Sequence, residues 1–280
     1  MRYMSHVEIR DTWFRFFQEK GHKKVESAPL IPINDDSLLW INAGVTPLKK
    51  YFDGREVPEC RRLVNIQKCI RTNDIENVGI TKRHQTFFEM MGNFSVGDYF
   101  KSEAIEFAFE LLTGEKWFAI QKELLYVTVY PEDKEAYQKW VEVGFIEDHI
   151  IKLDENFWEI GEGPCGPDSE IFFDRGEKYD LNHDALSKFK NDEEQERYVE
   201  IWNNVFSQFN AKEGVPRASY KELPSKNIDT GAGLERWCCV FQNVDSNFET
   251  DLFQPIIKHI EELVCFSYDG QKEFKIIVDH

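Results

Sequence analysis

The stretch NIQKCIRTNDIENVGITKRHQTFFEMMGNFSVGDYF, residues 65–100, reads as two strands facing each other across a polar loop. Val64, Ile66 and Ile70 lead into Arg71, the segment from Thr72 to Thr81 is rich in Asn, Asp and Gly, and Phe87, Phe88 and Met90 return. Alternating apolar runs broken by turn residues predict a hairpin. A guanidinium at the end of one strand, opposite aromatic faces on the other, suits a nucleotide. Arg71 can hold phosphate oxygens in bidentate fashion, and Phe87 or Phe88 can stack on a base. The plainer alternative is a core hairpin with a surface arginine.

The wording of the return strand goes further. Arg83, His84, Thr86, Phe87, Phe88, Glu89, Met90, Gly92, Asn93, Phe94, Ser95, Gly97, Asp98, Tyr99 and Phe100 resemble motif 2 of the alanyl-tRNA synthetases, which are class II enzymes. Relatives carry a longer loop after the arginine, with Gly-Gly-Lys-His; here only Thr72 precedes Asn73 and Asp74. A basic side chain near ATP is therefore missing or supplied from elsewhere.

Two further islands follow in the family's order. Residues 156–174, NFWEIGEGPCGPDSEIFFD, predict a Gly/Pro-constrained loop feeding a strand at 169–174. They resemble the family's FW and GPCGPCSEIF pattern, with Asp168 where many relatives have a second cysteine. Residues 228–241, IDTGAGLERWCCVF, resemble class II motif 3. There Gly231 and Gly233 let backbone approach a ligand, and the helix that follows aims its amides at phosphate. Between the islands, 200–210 (EIWNNVFSQFN) predicts a strand whose period of two puts Ile201, Asn203, Val205, Ser207 and Phe209 on one face.

The rest supports these islands. Ser5 and Glu8 have capping-box spacing ahead of a helix with Ile9, Trp13, Phe16 and Phe17 on one face and Gly21 at its stop. Residues 21–32 resemble motif 1 and read as a proline-edged strand, and 38–54 as support beneath the site. Helices are predicted over 102–113 and 133–144, with a strand over 125–130 between them. The acidic stretch 176–198 reads as a solvated excursion, and Cys238 and Cys239 as small core residues.

The chain has 280 residues, 41% hydrophobic and 14% aromatic, enough for one sizeable core. Its net charge of -17 repels polyanions unless basic groups are locally concentrated. The six cysteines show no zinc spacing, which points to a reducing compartment, the cytoplasm by default. No apolar run approaches the ~18 residues of a membrane span.

The resemblance implies an α+β class II synthetase fold, a mostly antiparallel sheet flanked by helices. It divides the chain into a catalytic domain, 1–243, and the start of a helical tRNA-recognition region, 244–280. It implies joining of L-alanine to ATP with release of pyrophosphate, then transfer to tRNA(Ala), with glycine and serine as misactivated substrates. Catalytic roles fall to Arg71 and Arg236. Arg71, Asp74, Arg83, His84, Phe88, Gly231, Gly233 and Arg236 would hold ATP. Arg71, Met90, Trp158, Asn203, Val205, Asp229 and Gly231 would hold alanine, Asp229 through its ammonium group. Mg²⁺ would bridge phosphates with Glu170 as a ligand, and no zinc is expected. The chain stops where relatives continue into helices, an editing domain and an oligomerising tail, so a monomeric fragment that binds tRNA weakly is expected. The rival is an inactive nucleotide-binding or regulatory module on the same fold, to which the shortened loop gives some weight.

Overall fold

The computed structural model describes residues 1–33, 38–73, 75–159 and 161–280. Among them, nine strands form one sheet: β1 (Lys23–Lys24), β2 (Arg62–Ile70), β3 (Phe87–Val96), β4 (Leu125–Val129), β5 (Ile150–Lys152), β6 (Phe157–Trp158), β7 (Gly163–Asp174), β8 (Tyr198–Ala211) and β9 (Lys221–Gly233). Their spatial order is β1-β2-β3-β9-β8-β7-β4-β5, with β6 paired to β7 alone. The pairings β1–β2 and β4–β5 are parallel and the others antiparallel. The architecture is thus α+β with a mostly antiparallel sheet.

The helices are α1 (His6–Glu19), α2 (Lys49–Phe52), α3 (Lys101–Thr113), α4 (Lys134–Glu142), α5 (Ala185–Lys190), α6 (Leu234–Gln242), α7 (Gln254–Val264) and α8 (Lys272–Asp279). The Ser5–Glu8 capping box forms and starts α1. Its stripe Ile9, Trp13, Phe16 and Phe17 is fully buried against one sheet face, where Trp13 meets Trp202 edge-on at 4.9 Å between ring centroids. Met91, Ile171, Phe206, Ile228 and Ala232 face the same core from the strands, and α3, α4 and α6 complete it. The alternate residues, among them Met90, Glu170, Asn203, Asp229 and Gly231, therefore face the other side.

Three expectations are corrected. The Gly/Pro stretch is not a loop up to residue 168, because β7 begins at Gly163 and pairs with Ala211 through Phe209 on β8. Gly166 allows this: a Cβ there would lie 1.9 Å from the Phe206 carbonyl oxygen. The acidic excursion is only partly solvated, since Ala185 and Phe189 of α5 are buried against Tyr198 and Ile151. The face of β8 also changes. The register with β7 shifts between Ile171 and Phe172, leaving Ile201 as the extra residue of a bulge. Ile201 joins the core, and Glu200 comes to the open face instead.

A buried ion pair ties α3 to α4. Lys101 Nζ lies 2.9 Å from Asp133 Oδ1 with both side chains 4% exposed, and Asp133 also caps α4 by accepting from Ala136 N. Asp133→Ala leaves an ammonium in the core and should lower stability by ~3 kcal/mol in urea unfolding. Loss of the exposed Lys116–Glu19 pair should cost less than ~1 kcal/mol. Equal costs for the two would contradict this account.

Candidate active site

Register assembles the site. On the open face, Asp168 of β7 lies opposite Val205 of β8, and Val205 lies opposite Asp229 of β9. One pair along, Glu170 faces Asn203, and Asn203 faces Gly231. Three carboxyls, an amide and a valine thus form a floor three strands wide. Asn203 Nδ2 donates to Glu170 Oε1 at 3.3 Å.

The apolar base of this floor disfavours charge. Burial alone pushes the Asp229 carboxyl up to about 7. Burial, then Glu200, raises Asp168 to about 7, with Asn203 and Asn156 opposing. Glu170 rises to about 9 through burial, then repulsion by Glu200 and Asp168. Among the described residues no donor meets Asp168 Oδ1, Asn156 Oδ1 or Asn203 Oδ1. Such a floor accepts a cationic group and hydrogen-bond donors.

Beside it opens a cleft lined by Arg71, Arg83, His84, Phe88, Met90, Gly231, Gly233 and Arg236. Arg71 stands just past β2: its N–H donates to the Thr86 carbonyl at 2.8 Å and its Nε to the Asn42 carbonyl at 3.0 Å. The guanidinium carbon lies 5.1 Å from the Phe88 centroid, so a base would stack on the ring's other face. Arg236, on the first turn of α6, donates to Glu200 Oε2 at 2.5 Å. Arg83 donates to the Gln195 carbonyl at 2.9 Å, and its guanidinium is held below the usual arginine range by burial, then by Arg236 and Arg175. Cations crowded together in this way favour a polyanion between them.

The expected site residues thus fall into two groups. Arg71, Arg83, His84, Phe88, Met90, Gly231, Gly233 and Arg236 share the cleft, while Glu170, Asn203, Val205 and Asp229 share the floor. Trp158 stands on β6, cross-strand from Gly166 of β7, and its neighbour Phe157 joins the cluster with Tyr130 and Phe209. Asp74 lies outside the described residues. Gly231 has a different local reason from the one expected: a Cβ would stand 2.9 Å from Met90 Sδ, so the glycine makes room for that side chain. The helix also begins later, at Leu234, because β9 continues through Gly233.

Sequence reading missed Glu200, Gln85, Glu235 and Asn247 in the cleft lining, and Arg175 behind Arg83. Glu200 was hidden by the bulge. Asn247 and Arg175 come from distant segments, and no local pattern marks them. Arg175 is a buried cation, its side chain 6% exposed, that acts electrostatically on Arg83.

Among the described residues, no group of three or more His, Cys, Asp or Glu could hold a metal ion, and no helix is long and apolar enough to cross a membrane.

Comparison with known proteins shows the family. The family described as tRNA synthetases class II (A) matches residues 8–280. An alanine–tRNA ligase of Acholeplasma laidlawii is 61% identical over 99% of this chain and 32% of its own length. One from Lactococcus lactis subsp. cremoris is 57% identical over 100% of this chain, and one from Onion yellows phytoplasma 56% identical over 99%. The chain therefore spans about a third of the length of these relatives.

The Asp229 shift has a sign that can be measured. The folded value of about 7 exceeds the ordinary 3.8, so the native state holds a proton that the unfolded chain has released between these values. Stability contributed at this site is therefore full below about pH 4 and falls as pH rises through 7. Asp229→Asn should match wild type near pH 4 and exceed it by ~2–4 kcal/mol at pH 8 in urea unfolding. A difference that does not change with pH would refute the burial of this carboxyl.

Proposed function

This chain belongs to the tRNA synthetases class II (A) family, and from that premise we propose that it activates L-alanine with ATP and passes the alanyl group to the 3′ end of tRNA(Ala). The reading rests on one observation: an arginine-lined cleft opens directly beside a buried floor whose carboxyl, Asp229, stands across from Val205. A nucleoside triphosphate and a small zwitterion require those two environments side by side.

Alanine's carboxylate attacks the α-phosphorus, a P–O bond forms, and the bond to the β-phosphate oxygen breaks to release pyrophosphate. The attacking oxygen is already ionised at pH 7, so no general base is needed. Catalysis lies in positioning and in charge stabilisation. We assign Arg71 to the α-phosphate and the substrate carboxylate, and Arg236 to the far end of the triphosphate. Arg236 is held by Glu200 in the structure and must exchange that partner for phosphate. Arg83, His84 and Asp74 are further nucleotide contacts, Gly233 leaves the backbone open there, and Phe88 stacks on adenine.

Asp229 receives the α-ammonium group, which offsets the burial that otherwise disfavours its charged form. Met90, Trp158 and Val205 frame the methyl group, with Asn203 and Gly231 beside them. Residues fit a magnesium ion held mainly by phosphate oxygens, with Glu170 as a protein ligand. Its charged form is disfavoured by burial, then by Glu200 and Asp168, and a cation would relieve that repulsion. Magnesium, when bound, neutralises phosphate charge. No three-residue metal cage is required for that mode.

A methyl-sized pocket discriminates by only ~1–3 kcal/mol per methylene and rejects an added hydroxyl poorly, so glycine and serine are weak substrates. The acidic surface makes capture of tRNA weak and dependent on salt. We place the protein in the cytoplasm, in keeping with the described cysteines all being free thiols.

Pyrophosphate exchange with all twenty amino acids tests the proposal. Exchange should be fastest with alanine and measurable with glycine and serine, and Arg71→Ala and Asp229→Ala should each reduce it by about 100-fold or more. No exchange from a folded protein would leave a nucleotide-binding module without catalysis.

A further inference from the structure

The polar loop between β2 and β3 is gripped from outside the sheet. Val78, in that loop, is buried with Phe248, Ile257, Ile260 and Phe274 of the C-terminal segment. Gly79, at φ +79°, lies against α8, where a Cβ would stand 2.9 Å from the Lys272 carbonyl oxygen. Asn247 donates Nδ2 to the Arg83 carbonyl at 3.2 Å and to Gln85 Oε1 at 3.1 Å, and its backbone N–H to the Lys82 carbonyl.

The last grip reaches Arg71. Asp279, the final residue of α8, has a side chain only 1% exposed. Its Oδ1 accepts from Thr86 N at 2.8 Å and its Oδ2 from Thr86 Oγ1 at 2.5 Å. The carbonyl of that same Thr86 accepts the Arg71 N–H at 2.8 Å. This bond lies one residue beyond the end of the β2–β3 ladder, whose last pair is Ile70–Phe87. Strand ends open at little cost, and Arg71 is exposed, so a fixed Thr86 is what keeps the bond closed. Two charge-assisted hydrogen bonds to one buried carboxylate are the strong kind.

We propose that Asp279 is a positioning residue for the nucleotide. By clamping the amide and the hydroxyl of Thr86, it holds the backbone of Arg71, and with it the guanidinium, at the mouth of the cleft. Helix α8 thereby sets the geometry of the ATP site without touching ATP. The inference rests on the role given to Arg71 under the proposed function.

Three variants test it: Asp279→Ala, Thr86→Val, which deletes the hydroxyl, and Thr86→Ser, which keeps it. In pyrophosphate exchange, Asp279→Ala should raise the KM for ATP about tenfold or more. The KM for alanine should rise as well, because Arg71 also meets the substrate carboxylate. Thr86→Val should fall between Asp279→Ala and wild type, and Thr86→Ser should match wild type. Calorimetric titration with Mg-ATP supplies the second readout. Asp279→Ala should weaken binding in the wild-type background and change it by less than about twofold when Arg71 is already alanine.

A fall in Tm with both KM values unchanged would reduce Asp279 to a structural role. Equal weakening of Mg-ATP binding with and without Arg71 would overturn the link to that residue. If wild type binds Mg-ATP but exchanges no pyrophosphate, the activation reading fails while the calorimetric comparison still decides the clamp. If wild type does not bind Mg-ATP, both fall together.

Discussion

Everything in this molecule depends on the two-sidedness of its sheet. Side chains alternate along each strand, and one face of β3, β9, β8 and β7 is committed to Trp13, Phe206, Ile228 and their neighbours in the core. The residues between them have no choice but to face the cleft, so the fold's largest stabilising commitment also fixes where Met90, Glu170, Asn203 and Asp229 stand. A one-residue slip in register would exchange the two sets. One such slip near the site, at Ile201, is absorbed as a bulge that brings Glu200 to the open side beside Arg236, and another falls between Cys165 and Asp168.

On that face most cations and most carboxyls stand apart, with Glu200, paired to Arg236, between them. Arg71, Arg83 and Arg236 gather at one end, and Asp168, Glu170 and Asp229 at the other. Both ends are costly alone: burial raises the carboxyls, and the guanidinium of Arg83 is disfavoured by its own burial and by Arg236 and Arg175. A chain of net charge -17 thus keeps a local concentration of cations where a polyanion would be handled. The stress at each end is relieved by a ligand of opposite sign, which is how a preorganised site differs from a surface ion pair.

The nucleotide cleft is also not the property of the sheet alone. The loop carrying Arg83 and His84 is too polar to build a core of its own, and it is ordered by Val78 packing among the C-terminal helices and by Asn247 and Asp279 bonding its backbone. The division into a domain at 1–243 and a segment at 244–280 therefore cuts through a shared cluster. A contact of this kind, between residues 86 and 279, leaves no trace in local pattern.

The sequence by itself determined the central hairpin, the capped first helix and the strand that precedes the third island, and it named candidate site residues that the fold gathers on one face. Periods of two and 3.6, a capping box and three motif islands are local features, and local physics writes them into short windows. Arg71, Phe88, Asp229 and Arg236 could be named from such windows. The tertiary structure alone decided which face Glu200 occupies, that β7 and β9 run through their glycines, that Gly231 makes room for Met90, and that α8 holds Thr86. Each of these depends on what a distant segment places opposite the residue. Gly166 is tolerated in a strand because the Phe206 carbonyl fills the space a side chain would need, and only the folded chain brings those two atoms together.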